Sequence, residues 1–199
     1  MMTKAIQSQF STEYKQGFFL VLMAGVLWST VGLGIRMIQD ATVWQILLYR
    51  SVSLSGLLAG VIYLRSRVSP LAAIFSSNLN THVAGLSLVA AYSGGIFAIQ
   101  NTSVANAMLL FATAPFLAAI LGLVVLREKV RAFTWFAILI SLVGVSIMIY
   151  DKTDGMALSG SLAALGSALG FAIFTVALRL GQAGNMLPSV FLSGIYAIL

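Results

Sequence analysis

Arg50 is the residue whose type and position most demand a reason. It lies inside an apolar run from Trp44 to Leu64, about four residues from the centre of that run and hence roughly 6 Å from the midplane of a bilayer that the run would cross. A guanidinium at that depth costs on the order of 2.5–3.5 kcal/mol on insertion scales, so it must face protein or water. The chemistry it offers there is capture of an anionic group; snorkelling outward or bracing neighbouring carbonyls are the competing uses. Trp28 and Tyr92 fall near the midpoints of their own apolar runs, and Gly94 and Gly95 beside Tyr92 permit close helix approach. Aromatic faces at that depth can wall a solute path or simply pack. Asn106 and Thr113, seven residues apart, share one face of a helix and can bond a solute or a neighbouring helix. All of this is recognition chemistry. Covalent chemistry lacks its parts, because none of the five acids, Glu13, Asp40, Glu128, Asp151 and Asp154, lies within an apolar run, there is no cysteine, and the single histidine, His82, is expected at an interface. An enzyme would need paired carboxylates, a nucleophile with its base, or metal ligands. No catalytic residue, metal or cofactor is therefore expected.

The elements that position these residues follow from composition. A chain that is 60% hydrophobic and 8% charged falls far below the quarter or so of charged residues in soluble domains, and the lipid bilayer is its solvent. The net charge of +6 sits between apolar runs and forms no stripe with interleaved aromatics, which excludes nucleic acid as a partner. Spanning about 30 Å of hydrocarbon takes roughly 20 apolar residues, and such runs must be helical because no water is present to satisfy their backbones. The runs are Phe18–Ile38, Trp44–Leu64, Val83–Gln100, Val104–Leu126, Ala132–Ile149 and Met156–Leu178. The fourth and fifth form a hairpin around the charged turn Arg127-Glu128-Lys129-Val130-Arg131, and Leu71–Phe75 suits the membrane surface. The expected fold class is thus all-α, a polytopic membrane helical bundle.

Lys and Arg collect in cytoplasmic loops. An N-terminus inside places Lys4, Lys15, Arg65, Arg67, Arg127, Lys129, Arg131 and Arg179 on the cytoplasmic side and leaves Lys152 opposite, beside Asp151 and Asp154. Laying Gly17–Arg36 on Gly160–Arg179 pairs Leu22 with Leu165, Trp28 with Phe171 and Arg36 with Arg179. Five spans separate the two starts, an odd number, so the second copy is inverted, as in transporters built from inverted repeats.

Residues between Ser103 and Ile149 carry a resemblance. Ser103-Val104-Ala105-Asn106-Ala107 opens the fourth run, Ala114-Pro115-Phe116 lies at its middle, Glu128 follows its end, and Gly144 lies in Ser141-Leu142-Val143-Gly144-Val145. With Trp28 and Arg50, this resembles the EamA-type family of the drug/metabolite transporter superfamily. The resemblance implies ten helices in two inverted five-helix repeats, a substrate cavity between the repeats, and passage of small metabolites or drugs across the cytoplasmic membrane. On that basis residues 18–149 are expected to form the first repeat and residues 156–199 the beginning of the second, a truncated ten-helix fold. Trp28, Arg50, Tyr92, Asn106 and Thr113 are the candidate cavity residues. Pro115 is expected to bend the fourth helix near its centre as a hinge, and Glu128, among Arg127, Lys129 and Arg131, to form an ion pair or to fix its turn. The dozen residues from Pro188 to Leu199 are too few to span and are expected to lie frayed at the surface, with a second chain or a dimer partner supplying missing helices. An accessory, non-transporting membrane subunit is the alternative reading.

Overall fold

The structure, a computed structural model, describes the backbone of residues 2–38, 40–66, 77–150, 155–181 and 186–199, and the side chains of 14–38, 40–64, 77–147, 157–181 and 186–199. The segment Leu71–Phe75 and the side chains of Lys4, Arg65, Arg67, Asp151, Lys152 and Asp154 lie outside the described residues. Those residues form eight helices and no strand: α1 (Met2–Met37), α2 (Val43–Ser66), α3 (Leu79–Asn101), α4 (Val104–Phe111), α5 (Ala114–Val125), α6 (Ala132–Tyr150), α7 (Gly155–Leu180) and α8 (Leu187–Tyr196). Five stretches are long and apolar enough to cross a membrane: Tyr14–Met37, Val43–Leu64, Leu79–Asn101, Val104–Val125 and Ala157–Leu180. Ala132–Ile147 and Leu187–Tyr196 are shorter apolar helices. The chain is a membrane helical bundle. Residues 1–39 form one compact unit, essentially α1, and residues 40–199 form another.

The core of the second unit is the pairing of α3 with α7, and small residues make it possible. A Cβ added at Gly160 would lie 2.9 Å from the carbonyl carbon of Asn101, one at Gly170 would lie 2.8 Å from the Ser87 carbonyl oxygen, and one at Gly181 would lie 3.1 Å from Asn80 Cβ. From the α3 side, a Cβ at Gly94 would meet the Ala163 carbonyl oxygen at 3.1 Å and one at Gly95 would meet Ser167 Oγ at 3.2 Å. The partner numbers fall on one helix as they rise on the other, so the two helices run antiparallel along their whole lengths. In lipid, helices associate by close van der Waals contact and interhelical hydrogen bonds rather than by a hydrophobic drive. The Ser167 hydroxyl adds such a bond, donating to the Ala91 carbonyl at 2.6 Å. Above this contact Ala84, Leu88, Phe174, Ala177 and Leu178 form a buried cluster on which Tyr92, Phe171 and Val190 pack.

The fourth apolar run is two helices, not one bent helix. α4 is capped by Ser103, whose hydroxyl accepts from the Asn106 N–H at 3.2 Å. It ends at Phe111, which is the residue four before Pro115. A continuous helix would need a Pro115 N–H to bond the Phe111 carbonyl; proline has none, and its ring would clash with that carbonyl. The chain instead tightens through Ala112 and Thr113, whose N–H bonds Leu110 at 3.1 Å, and Pro115 occupies the first turn of α5, where its fixed φ is tolerated. The expected bend at Pro115 is therefore a break just upstream of it.

The C-terminal residues also differ from expectation. They form α8, which packs against α2 and α3: Ser189, Phe191, Leu192, Ser193 and Gly194 are buried, and Phe191 joins Leu58 and Ile62 of α2 in a second core cluster. The helix seats because it meets α3 at Gly85, where an added Cβ would lie 3.2 Å from Leu192 Cβ. Burying Phe191 and Leu192 among protein outweighs the fraying expected of a short terminal helix.

Candidate functional site

Arg50 lies two turns into α2, and its guanidinium carbon sits 3.5 Å from the centroid of the Tyr92 ring on α3. α2 and α3 run antiparallel here, since the Gln100 amide near the end of α3 donates to the Ala41 carbonyl just before α2 at 2.9 Å. That pairing of ends brings the start of α2 level with the last third of α3, which is what places residue 50 over residue 92. A desolvated cation over an aromatic face gains about 2 kcal/mol or more, so the stacking offsets much of the insertion cost of Arg50. The compensation is incomplete. Arg50 Nη1 is buried without a hydrogen-bond partner. Tyr92 is itself held by the Ala84–Leu88–Phe174 cluster beneath it.

Asn106 and Thr113 do not share a continuous helical face, because α4 ends between them. Both are buried. The Asn106 side-chain amide uses its two N–H groups to donate to Thr102 Oγ1 at 3.0 Å and to Ser161 Oγ of α7 at 2.9 Å. Ser161 in turn donates to the Ala157 carbonyl at 2.8 Å. The Thr113 hydroxyl donates to the Leu110 carbonyl at 2.7 Å, within the break. Both residues thus make bonds between or within helices. Trp28 lies on α1, in the separate N-terminal unit, and is 44% exposed; its helix neighbours Ser29 and Thr30 return their hydroxyls to the Val26 and Leu27 carbonyls.

At the far end of α5, Arg127 takes a left-handed conformation (φ 54°). This turn lets the Glu128 N–H reach back to the Gly122 carbonyl at 3.3 Å. It also points the Glu128 carboxylate at Arg179 in the last turn of α7, with 2.5 Å between Oε1 and Nη2. The expected ion pair exists, but its partner is on another helix rather than in the turn. Gly122 lies beside the pair, where an added Cβ would meet the carboxylate at an ordinary contact of 3.6 Å. His82 is tied more firmly than an interfacial residue: Nδ1 lies 2.5 Å from the Tyr196 hydroxyl of α8 and Nε2 lies 3.1 Å from Ser77 Oγ. Thr102, Ser161, Arg179 and Tyr196 were not foreseen as partners. The glycine and serine positions of α7 were the available signal for the first two. Among the described residues, no group of three or more His, Cys, Asp or Glu could hold a metal ion.

Residues 15–150 match the sequence model of the EamA-like transporter family. The chain belongs to that family. It is a membrane transporter of the drug/metabolite superfamily, whose working surroundings are the lipid bilayer and a small-molecule substrate. The EamA-like segment runs from α1 through α6 and so contains Trp28, the Arg50–Tyr92 pair, Asn106, the α4–α5 break and Glu128, while α7 and α8 lie beyond it. No curated protein and no solved structure gives a significant match.

Proposed function

We propose that the chain moves a small polar metabolite across the cytoplasmic membrane along a path walled by α2 and α3 at the level of Arg50 and Tyr92. The observation that carries this reading is the cation stacked on an aromatic ring at membrane depth, with one donor left over. Ionisable groups within spans are expensive and tend to mark solute paths. Asn106 and Thr113 serve this reading as structural support around the path rather than as first contacts, and Pro115 sets the break at which the fourth span can flex.

The proposal places the N-terminus in the cytoplasm, in keeping with the excess of Lys and Arg on that side. It reads residues 18–149 as the first of two inverted repeats and residues 156–199 as the opening of the second, in keeping with the Gly17–Arg36 and Gly160–Arg179 correspondence. The opposite wall of the path belongs to the inverted repeat, including any helices that a second chain contributes. The test is solute profiling of cells that express the wild-type chain, Arg50→Ala, Tyr92→Leu, or Leu57→Ala on the exposed side of α2. The expected result is at least one solute whose distribution changes with wild type and Leu57→Ala but not with the two site variants. Equal changes in all four would refute the path.

A further inference from the structure

We infer that Arg50 Nη1, backed by the Tyr92 ring, is a binding site for an oxyanion, a carboxylate or a phosphate oxygen carried by the solute; the inference rests on the transport path proposed above and names the chemistry of its cargo. Three observations converge. First, the guanidinium is fixed. Its carbon lies 3.5 Å from the Tyr92 centroid, and Tyr92 is braced by the α3–α7 cluster, so the donors point in a set direction rather than sweeping a range of rotamers. A planar fork held in this way is suited to carboxylate and phosphate oxygens. Second, Nη1 is shielded from solvent and makes no hydrogen bond. Leaving a charged donor unpaired in a low-dielectric site is costly, and buried charges are ordinarily paired. A snorkelling arginine would show the opposite arrangement, with its terminal nitrogens at the polar interface.

Third, none of the acids in this sequence lies in an apolar run, and among the described residues no carboxylate is paired with Arg50. The acids are Glu13, Asp40, Glu128, Asp151 and Asp154, and Glu128 is engaged by Arg179. The Tyr92 face supplies electron density but no acceptor along the N–H direction. Among the described residues nothing accepts from Nη1, and an oxyanion supplies the acceptor it lacks. Two sources share the chemistry, a soluble anion and the phosphate of a lipid headgroup, and both would present oxygen to the same nitrogen.

The test is equilibrium dialysis of radiolabelled succinate and of inorganic phosphate against the purified chain in dodecyl maltoside micelles, which carry no phosphate, and in a second set containing phosphatidylglycerol, with tetraethylammonium as the cationic control. Wild type is expected to bind at least one of the two anions and not tetraethylammonium. Arg50→Ala should weaken that binding by about tenfold or more, the loss of one charge-assisted bond. Arg50→Lys, which keeps the charge and loses the fork, should fall between. Tyr92→Leu should weaken binding and Tyr92→Phe should preserve it. If neither Arg50 variant folds, the Tyr92 pair decides, because Phe retains the ring face and Leu does not.

Anion binding in dodecyl maltoside alone that vanishes with phosphatidylglycerol would uphold the oxyanion site and assign its occupant to the headgroup; binding in both would assign it to a soluble anion. Binding unaltered by Arg50→Ala, or equal in Tyr92→Phe and Tyr92→Leu, would overturn the inference, as would wild type that binds neither anion in dodecyl maltoside alone. Anion binding through Arg50 with solute distributions unmoved by Arg50→Ala would instead refute the path while the oxyanion site stands. Loss of neutral or cationic solute movement in Arg50→Ala, without anion binding, would leave the path and remove the site.

Discussion

Replacing Gly170 by alanine adds one methyl group at a point where α3 and α7 have no room for it. The new Cβ would lie 2.8 Å from the Ser87 carbonyl oxygen and 3.0 Å from the Ala91 nitrogen. Against roughly 3.5 Å for an unstrained contact, the shortfall is about 0.7 Å. Both neighbours are backbone atoms, so relief requires the helices themselves to separate rather than a side chain to rotate. Overpacking of this kind costs about 1–3 kcal/mol, and the helix preference of alanine over glycine returns about 0.5–1 kcal/mol. The expected net loss is about 1–2 kcal/mol. The control is Gly144→Ala on α6, where nothing lies within 4 Å of the added Cβ and only the propensity gain of about 0.5–1 kcal/mol remains. Unfolding of both variants by sodium dodecyl sulfate in mixed micelles, followed by helicity, measures the difference. Because Ala91 adjoins Tyr92, separation of the helices should also loosen the Arg50 stacking, and Gly170→Ala should bind anions less well although it touches neither residue. A Gly170→Ala variant as stable as wild type would refute the account of the seam.

Asn106→Leu removes donors to Thr102 and Ser161 and should destabilise by about 0.6–1.7 kcal/mol, the range for interhelical bonds in membranes; a double-mutant cycle with Ser161→Ala should show coupling, and additivity would contradict the bond. Arg127→Gly relieves a side chain held at φ 54° and should stabilise by about 1 kcal/mol in the same unfolding assay. The Glu128–Arg179 pair is about half exposed, so Glu128→Gln should cost at most about 1 kcal/mol and less at high salt; a loss of several kcal/mol would mean the pair does more than join two helix ends. Reporter fusions after Arg67, Arg131 and Asp154 should read inside, inside and outside, and the reverse pattern would overturn the orientation.

What the sequence made legible was whatever depends on local composition. Run lengths fixed most of the helices, and the depth of Arg50 in its run marked it as a residue needing a reason, while Tyr92 read as either a path wall or a packing residue. Gly94 and Gly95 announced close approach, and the structure uses them against Ala163 and Ser167. What could not be read were partners distant along the chain. Glu128 has three basic neighbours in its own turn yet bonds Arg179, because the left-handed Arg127 turns the carboxylate toward α7. Asn106 and Thr113 looked like one face because the spacing of seven assumes an unbroken helix, and Pro115 breaks it. The apolar tail after Pro188 was measured against a bilayer crossing, whereas its burial follows from small residues on α3, a complementarity that hydropathy does not register.

The α3–α7 seam has a consequence for how the protein is made. α3 and α2 share the lowest mean hydropathy of the five long stretches, 1.5, and the residues that α3 meets on α7 emerge about 60–100 residues later. At roughly 5–20 residues per second, that is a delay of about 3–20 s. During it the glycines and serines of α3 face lipid and the helices made before α7, but not α7 itself. The contacts between α2 and α3, Gln100 with the Ala41 carbonyl and Arg50 on Tyr92, are the ones available from the start. The stacked arginine therefore acts first, together with the Gln100–Ala41 bond, as a staple that holds a weakly hydrophobic helix in the bilayer until its true partner arrives, and a ribosome that pauses between α3 and α7 lengthens the interval over which the hairpin depends on those contacts.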